Sequence, residues 1–551
     1  MSTRRFWVIW SVVSLLWLVL VWSLGSHLVS EADAGRGPAF LVKALSTRRH
    51  LVAHYQGRVP LLALGSAFAI ILGAVLLRDA RQGSRLARRI VVPASATSLA
   101  GIRIGTCAVT LISMLLEDPA STAKLPGFSS LPFGLGSMGI VQKLPGMASL
   151  LHSAPLLHAL KALTVLALTA GMLGLCVRIT LPVALLSALL LGGVVRMYTH
   201  FFHTGLLPLY VLAVLAVAPC ADAWSADAWR LRRAGRPVVP PEEPSLRYGF
   251  PRFACWCVLG LTYFAAGSSK LRHGGLGWWD GVNLKAKVLG DALQVGSFDF
   301  PFLPLLDKVP LVIFSVMGIV TLIVELGMVL VPFSRLARRI FPLGVMGLHL
   351  GILFTQEILF LDLILIQGIL FDFRRVALPL YRWVAARLPG VFDTTAAPTQ
   401  LERAKPESSA MAAFALVPIV YLGTIALGLE LYPISTWPMY SDRTTSTVVD
   451  YVLLHGEDAS GRTVRTRLED SFGAFAFSRD FDIIPYAFQP ALRGDLEKTL
   501  EVFAAVYNTD KPANDRLVAV HFEHHKLDFA RQPIAERAGE VVERFVYRPR
   551  H

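Results

Sequence analysis

Charge is what this chain has little of. Charged side chains make up 17% of 551 residues, and 39 Asp and Glu stand against 53 Lys and Arg. That excludes an ordinary soluble globular protein, whose surface would need more. Cysteine is also sparse. The five present (Cys107, Cys176, Cys220, Cys255, Cys257) lie within or at the ends of apolar segments, so no exported disulfide framework is legible. The Cys-x-Cys at 255 and 257 lacks the second pair that a structural zinc site needs. No P-loop, no GxGxxG opening a helix after a strand, no GxSxG and no HExxH occurs, and there is no solenoid repeat or low-complexity tract beyond the linkers.

What is present is hydrophobic length. Apolar residues reach 54% and the mean hydropathy is +0.54, with several windows approaching the roughly 20 apolar residues that cross a hydrocarbon core. The sequence therefore reads as an all-α polytopic membrane bundle. Its net charge of +14 comes from arginine-rich loops and calls for no nucleic-acid partner. Arg4 and Arg5 precede an apolar run over 6–24 with no small-residue cleavage site, read as a retained span with its N-terminus inside. A second span at about 59–77 is followed by Arg78, Arg81, Arg85, Arg88 and Arg89. Further spans are expected at about 98–116, 157–176, 179–197, 204–219, 253–269, 309–331 and 410–430. The 341–372 segment, about 48 Å if straight, is too long for one upright helix. It is read as a hairpin turning near Gln356 and Glu357, which makes about eleven spans, N-terminus in and C-terminus out, with basic loops at 220–252, near 335 and at 374–405 inside.

Five regions follow: 1–95 with two spans and a basic loop, 96–375 as the main membrane domain, 376–408 as a cytoplasmic linker, 409–432 as the last span, and 433–551 as a small α+β extracytoplasmic domain. The run from Tyr432 to Asp442 places Trp and Tyr at the water interface. In the last region, alternating residues on both sides of an Asp-Ala-Ser-Gly turn predict a hairpin, with a helix at about 491–508 and a strand at about 517–529.

Lys270 is the leading candidate for chemistry. It ends an apolar helix in LTYFAAGSSKLRHGGLGWWDGVNL. A lysine in a partly dehydrated pocket loses some of its preference for the charged form and becomes a usable base, although a lysine at a helix end is also a common interfacial snorkeller. His203 follows His200 by three residues at the outer start of a span, a spacing that shares one helix face and suits a hydrogen-bonding role better than a metal, for which no third ligand is evident. His349, Glu325 and Asp362 lie inside apolar segments, where an ionisable group needs a partner or a proton; Arg103 is a candidate partner for the acids. In HFEHH, His521, Glu523 and His525 would share one strand face and His524 the other, a solvated face more readily than a metal site.

Taken in order, SLAGIRIG, HTGLLPLYVLAVLAVAPCADAWSAD, YFAAGSSKL followed by WWDG, and GLHLGILFTQEILF resemble the HTTM family, the membrane domain shared with vitamin K-dependent γ-glutamyl carboxylase, over roughly residues 96–375. The resemblance implies that Lys270 matches the base that deprotonates a reduced quinone. It also implies that His203 and His349 match the family's membrane histidines, and that Trp278, Asp280 and Gly281 match its Trp-x-acid-Gly run, with Trp278 toward the cofactor. The implied reaction uses a reduced quinone of the vitamin K or menaquinol type, with oxygen and carbon dioxide: oxygen adds after deprotonation, the strong base so formed takes a γ-proton from glutamate, and the carbanion captures carbon dioxide. An apolar bundle would dissolve the quinol and shield the base from water.

The chain departs from that pattern. About 120 residues follow the last span where the human-type carboxylase has a much larger domain, two extra spans come first, and Ser269 stands where the carboxylase has a second lysine. The leading reading is a carboxylase-like membrane enzyme acting on a secreted protein, a peptide or a small molecule. Two others stand beside it: a non-catalytic partner in export, maturation or immunity, and a transporter relying on Glu325 and Asp362. A bacterial cytoplasmic membrane is the expected location.

Overall fold

The computed structural model describes residues 3–36, 90–124, 144–196, 205–236, 243–293, 302–371, 416–427, 432–466, 493–509, 511–534 and 539–549, with a few positions between them. Among the described residues six helices are long and apolar enough to cross a membrane: Arg4–Asp33, Ala96–Leu116, Ala154–Leu173, Val177–Arg196, Leu311–Leu330 and Ala337–Gln356. The chain is a helical membrane protein carrying a small antiparallel sheet. Four shorter apolar helices, Ala63–Val75, Leu206–Val217, Leu361–Leu370 and Leu416–Ile425, fall in further segments read as spans.

Helix α1 (Thr3–Asp33) is apolar on every side and leaves Trp7, Leu15, Leu16 and Leu20 exposed, which suits a helix facing lipid. Local capping sets the next boundaries. Ser95 caps α2 (Ala96–Leu116) by accepting the Ser98 amide, and α3 (Ala154–Leu173) stops at Gly174 in the left-handed conformation. Both carboxylate oxygens of Asp227 accept amides at the start of α4 (Val177–Arg196), from Cys176 at 2.9 Å and Val177 at 3.1 Å. That acid opens α6 (Ala226–Arg233), after α5 (Leu206–Val217), so a distant short helix fixes where α4 begins.

The centre of the bundle is α7 (Leu246–Gly274), capped by Ser245 and buried on all faces from Phe253 to Tyr263. Lipid supplies little hydrophobic drive between helices, so packing depends on close approach of backbones. Gly260 and Gly267 of α7 permit it. A Cβ at Gly260 would lie 2.6 Å from the Met328 carbonyl oxygen, and one at Gly267 would lie 3.1 Å from the Glu325 Cβ. Both neighbours belong to the segment of α9 (Leu311–Gly327) and the turn after it. Before α9 lies α8 (Gly281–Ala292), capped by Asp280, which accepts the amides of Val282 and Asn283. Helix α10 (Ala337–Gln356) ends where Glu357 adopts φ 56, and the short α11 (Leu361–Leu365) packs back on it, at the turn read from the sequence.

After α12 (Leu416–Leu427) the chain enters a four-stranded antiparallel sheet of order β2-β1-β3-β4: β1 Val448–Asp458, β2 Thr463–Arg465, β3 Leu517–Asp528 and β4 Glu540–Tyr547, with α13 (Arg493–Asn508) between β2 and β3. One face packs Leu454, Val520 and Phe522 with Leu500 and Phe503 of α13. The other brings Val449, Tyr451 and Leu527 against Leu289 of α8, in one core with Trp278 and Phe314, and this core ties the sheet to the bundle. The strand alternation places His521 on Glu457 (3.2 Å), His525 on Glu523 (3.1 Å) and His524 on Asp450 (2.8 Å). No group of three or more ligating side chains that could hold a metal is present among the described residues.

Candidate functional site

Helix α7 continues through Lys270 to Gly274, so the lysine does not mark the end of the helix as the sequence suggested. Nothing in SSKLRH breaks a helix, and the chain stops only at the paired glycines. The side chain is buried, 4% exposed. Its Nζ donates to Glu325 Oε1 of α9 at 2.9 Å and lies 5.5 Å from the centroid of the Trp278 ring. Gly267, one turn earlier on α7, lets the Glu325 backbone come this close.

Two of the predicted histidines share this environment, since the charge of Lys270 bears on both His203 and His349. His349 of α10 is buried, with Nε2 3.0 Å from the Tyr263 hydroxyl. Tyr263 precedes Lys270 by seven residues and therefore shares its helix face. Gln367 Nε2 donates to the Tyr263 oxygen at 3.3 Å, which leaves the tyrosine proton for His349 Nε2 and puts the imidazole's own proton on Nδ1. Glu325 Oε2, His349 Nδ1 and Gln367 Oε1 are buried with no hydrogen-bond partner among the described residues. Buried polar atoms left unpaired are unusual in a settled core and suit a ligand carrying hydroxyl groups.

His203 is held by the segment after α12. Its ring stacks on Trp437 with centroids 4.8 Å apart, and its Nδ1 lies 2.9 Å from Ser435 Oγ, which also accepts the Trp437 amide. From Trp437 a directional chain runs inward: its Nε1 donates to the Tyr421 hydroxyl at 2.8 Å, which donates to Thr262 Oγ1 at 2.7 Å, which donates to the Val258 carbonyl. Trp437 and Tyr440 both adopt positive φ, of 56 and 51, costing on the order of 1–3 kcal/mol each. Such backbone persists where surrounding contacts over-determine it, and here those contacts converge on the site.

The remaining predicted residues divide. Trp278 is buried with its Nε1 committed to the Tyr440 carbonyl at 2.7 Å, and Asn283 bridges the Trp278 carbonyl and the Thr444 amide. The WWDG turn thus joins the bundle to the sheet and offers Lys270 one ring face. Arg103 is not the partner of either buried acid. It donates to the backbone carbonyls of Cys220 and Trp224, both at 2.5 Å, and clamps the loop that carries Asp227. Asp362 accepts the Gly205 amide at 2.8 Å instead. His200 lies outside the described residues. Sequence reasoning did not assign Tyr263, Gln367, Tyr421, Ser435 or Trp437 to the site. The seven-residue spacing of Tyr263 from Lys270 was the available signal for one of them.

The arrangement can hold and pass a proton: an amine and a carboxylate in buried contact, with the Tyr263–His349 hydrogen bond on the same face of α7. Comparisons of the chain with protein-family models, with curated proteins and with solved structures return no match.

Proposed function

We propose that this chain is a multi-pass membrane enzyme of the HTTM, carboxylase-like class, in which Lys270 is the base that deprotonates a reduced quinone. The observation that carries the reading is the buried Lys270–Glu325 pair, which brings together two residues 55 positions apart beside His203 and His349. Glu325 changes the expected mechanism, because a lone lysine would have to be neutral, whereas a contacting pair can relocate one proton. With that proton on Glu325, Lys270 Nζ presents a free lone pair, accepts a hydroxyl proton from the substrate and leaves the site with one positive charge facing the new anion. Glu325 Oε2 and His349 Nδ1, unpartnered among the described residues, are the groups that would orient the hydroxyls of the reduced quinone, and Trp278 limits where the ammonium can move. When bound, a reduced quinone supplies the reducing equivalents that activate oxygen. Carbon dioxide and a peptide or small-molecule carbon acid complete the reaction class that the resemblance implies.

The reading places the chain in a bacterial cytoplasmic membrane with about eleven spans, the N-terminus inside and residues 433–551 outside, so that a secreted substrate would meet the site from the side of the sheet. Oxygen uptake by the purified protein on adding a reduced naphthoquinone tests it. Uptake lost in Lys270→Ala and strongly reduced in Glu325→Gln is the expected result. One observation favours a second reading: the same ion pair clamps α7 to α9, which suffices for a non-catalytic membrane partner. In that case Lys270→Arg retains the cellular role and no quinol is consumed. A transporter would instead show substrate flux into proteoliposomes that depends on Glu325 and Asp362.

A further inference from the structure

We propose that the turn between α9 and α10, together with Arg252 of α7, is a binding site for the phosphate of an anionic phospholipid headgroup. Residues 331–336 join two membrane-crossing helices, Leu311–Leu330 and Ala337–Gln356, and so form the tip of a hairpin at a membrane surface. Three arginines crowd this tip: Arg335, Arg338 and Arg339. The guanidiniums of Arg338 and Arg252 both lie against the Trp256 ring, at 4.3 and 4.5 Å from its centroid.

Arg338 is anchored by backbone carbonyls. Arg338 Nη1 donates to the carbonyls of Val331 at 2.7 Å and Pro332 at 3.3 Å, while Arg252 donates to those of Val92 and Pro93. The charge that bears on Arg338 is that of Arg335, like in sign. No carboxylate among the described residues pairs with Arg335, Arg338 or Arg339. The buried Trp256 Nε1 beside them is a donor without a partner among the described residues. Arg335, Arg338 and Arg339, clustered with no carboxylate partner among the described residues, are costly at a low-dielectric boundary, and an oxyanion is the component that would answer them.

The source of that oxyanion follows from the apolar side chains of the same turn. Phe333, Leu336 and Ile340, spaced by three and four, are more than half exposed. They would lie against acyl chains while the arginines meet the phosphate plane, and guanidinium geometry suits a bidentate phosphate. A net anionic headgroup answers the uncompensated charge, whereas a zwitterionic one carries its own cation.

Native mass spectrometry of the full chain in detergent, with phosphatidylglycerol, phosphatidylcholine or inorganic phosphate added, tests the proposal. Phosphatidylglycerol should be retained at least fivefold more than phosphatidylcholine, and inorganic phosphate should not displace it. Arg335 and Arg339 are exposed and make no hydrogen bond through their side chains among the described contacts, so Arg335→Gln/Arg339→Gln should leave the lipid-free melting temperature unchanged. It should lower phosphatidylglycerol retention by about fivefold per arginine removed. Arg230→Gln/Arg232→Gln on α6 should not. Equal retention of the two lipids, displacement by inorganic phosphate, unchanged retention in the first variant or an equal loss in the second each overturns it.

Discussion

Removing one member of the Lys270–Glu325 pair is predicted to cost far more than removing both. At 2.9 Å and an effective dielectric constant near 20, the attraction is about 6 kcal/mol. Withdrawing each ion from water costs several kcal/mol, so the two terms nearly cancel and the intact pair adds little net stability. Glu325→Leu leaves Lys270 buried without its counter-charge, and Lys270→Met does the same to Glu325. Each single change is expected to destabilise by about 3–5 kcal/mol, while the double variant returns to within about 2 kcal/mol of the wild type. Thermal unfolding of the four proteins in one detergent, reduced to a double-mutant cycle, gives a coupling energy of several kcal/mol. Single variants within about 1 kcal/mol of the wild type, or strictly additive losses, would refute the claim that the charges are buried together and depend on each other.

Three further outcomes follow from the geometry. Gly260→Ala drives a methyl onto the Met328 carbonyl and should cost about 1–3 kcal/mol by overpacking, read by thermal unfolding; no change would mean that the α7–α9 contact is looser than described. Tyr421→Phe removes the group that accepts from Trp437 and donates to Thr262, so a buried indole donor is orphaned at about 1–3 kcal/mol and Trp437 fluorescence should shift. In the sheet, burial holds His455 below the ordinary histidine range, opposed by Glu523, and the Ser460 hydroxyl with Arg462 holds Asp458 at about 2. Both folded values lie below the unfolded ones, so the unfolded state binds more protons and stability falls as pH falls, first below about 6.5 through His455 and then below about 4 through Asp458. Hydrogen exchange along β1 should accelerate from pH 7 to pH 5. Constant or slower exchange after correction for intrinsic rate contradicts the sign.

The features legible in the sequence were those written as local pattern. Apolar length marked the spans, the polar pair at Gln356 and Glu357 marked the turn after α10, and alternation around Asp-Ala-Ser-Gly marked β1 and β2. A strand near 517–529 and a helix near 491–508 were equally readable, whereas β4 was not foreseen. Partnerships across the bundle left no local trace. Glu325 and Lys270 are each costly alone, but nothing nearby in sequence says that they pair. Arg103 reads as a partner for buried acids because matching opposite charges ignores backbone carbonyls, which are present at every position and absent from any motif. Trp437 reads as interfacial in the sequence because aromatic residues after a last span usually are, whereas it turns inward onto His203.

Oxygen-dependent epoxidation of a reduced naphthoquinone by the purified protein in lipid tests the central claim most directly, with wild type, Lys270→Ala, His203→Ala and Lys270→Arg compared side by side. The account predicts epoxide from the wild type and none above background from Lys270→Ala. No epoxide from any of the four proteins, with Lys270→Arg still supporting the cellular role, would contradict it.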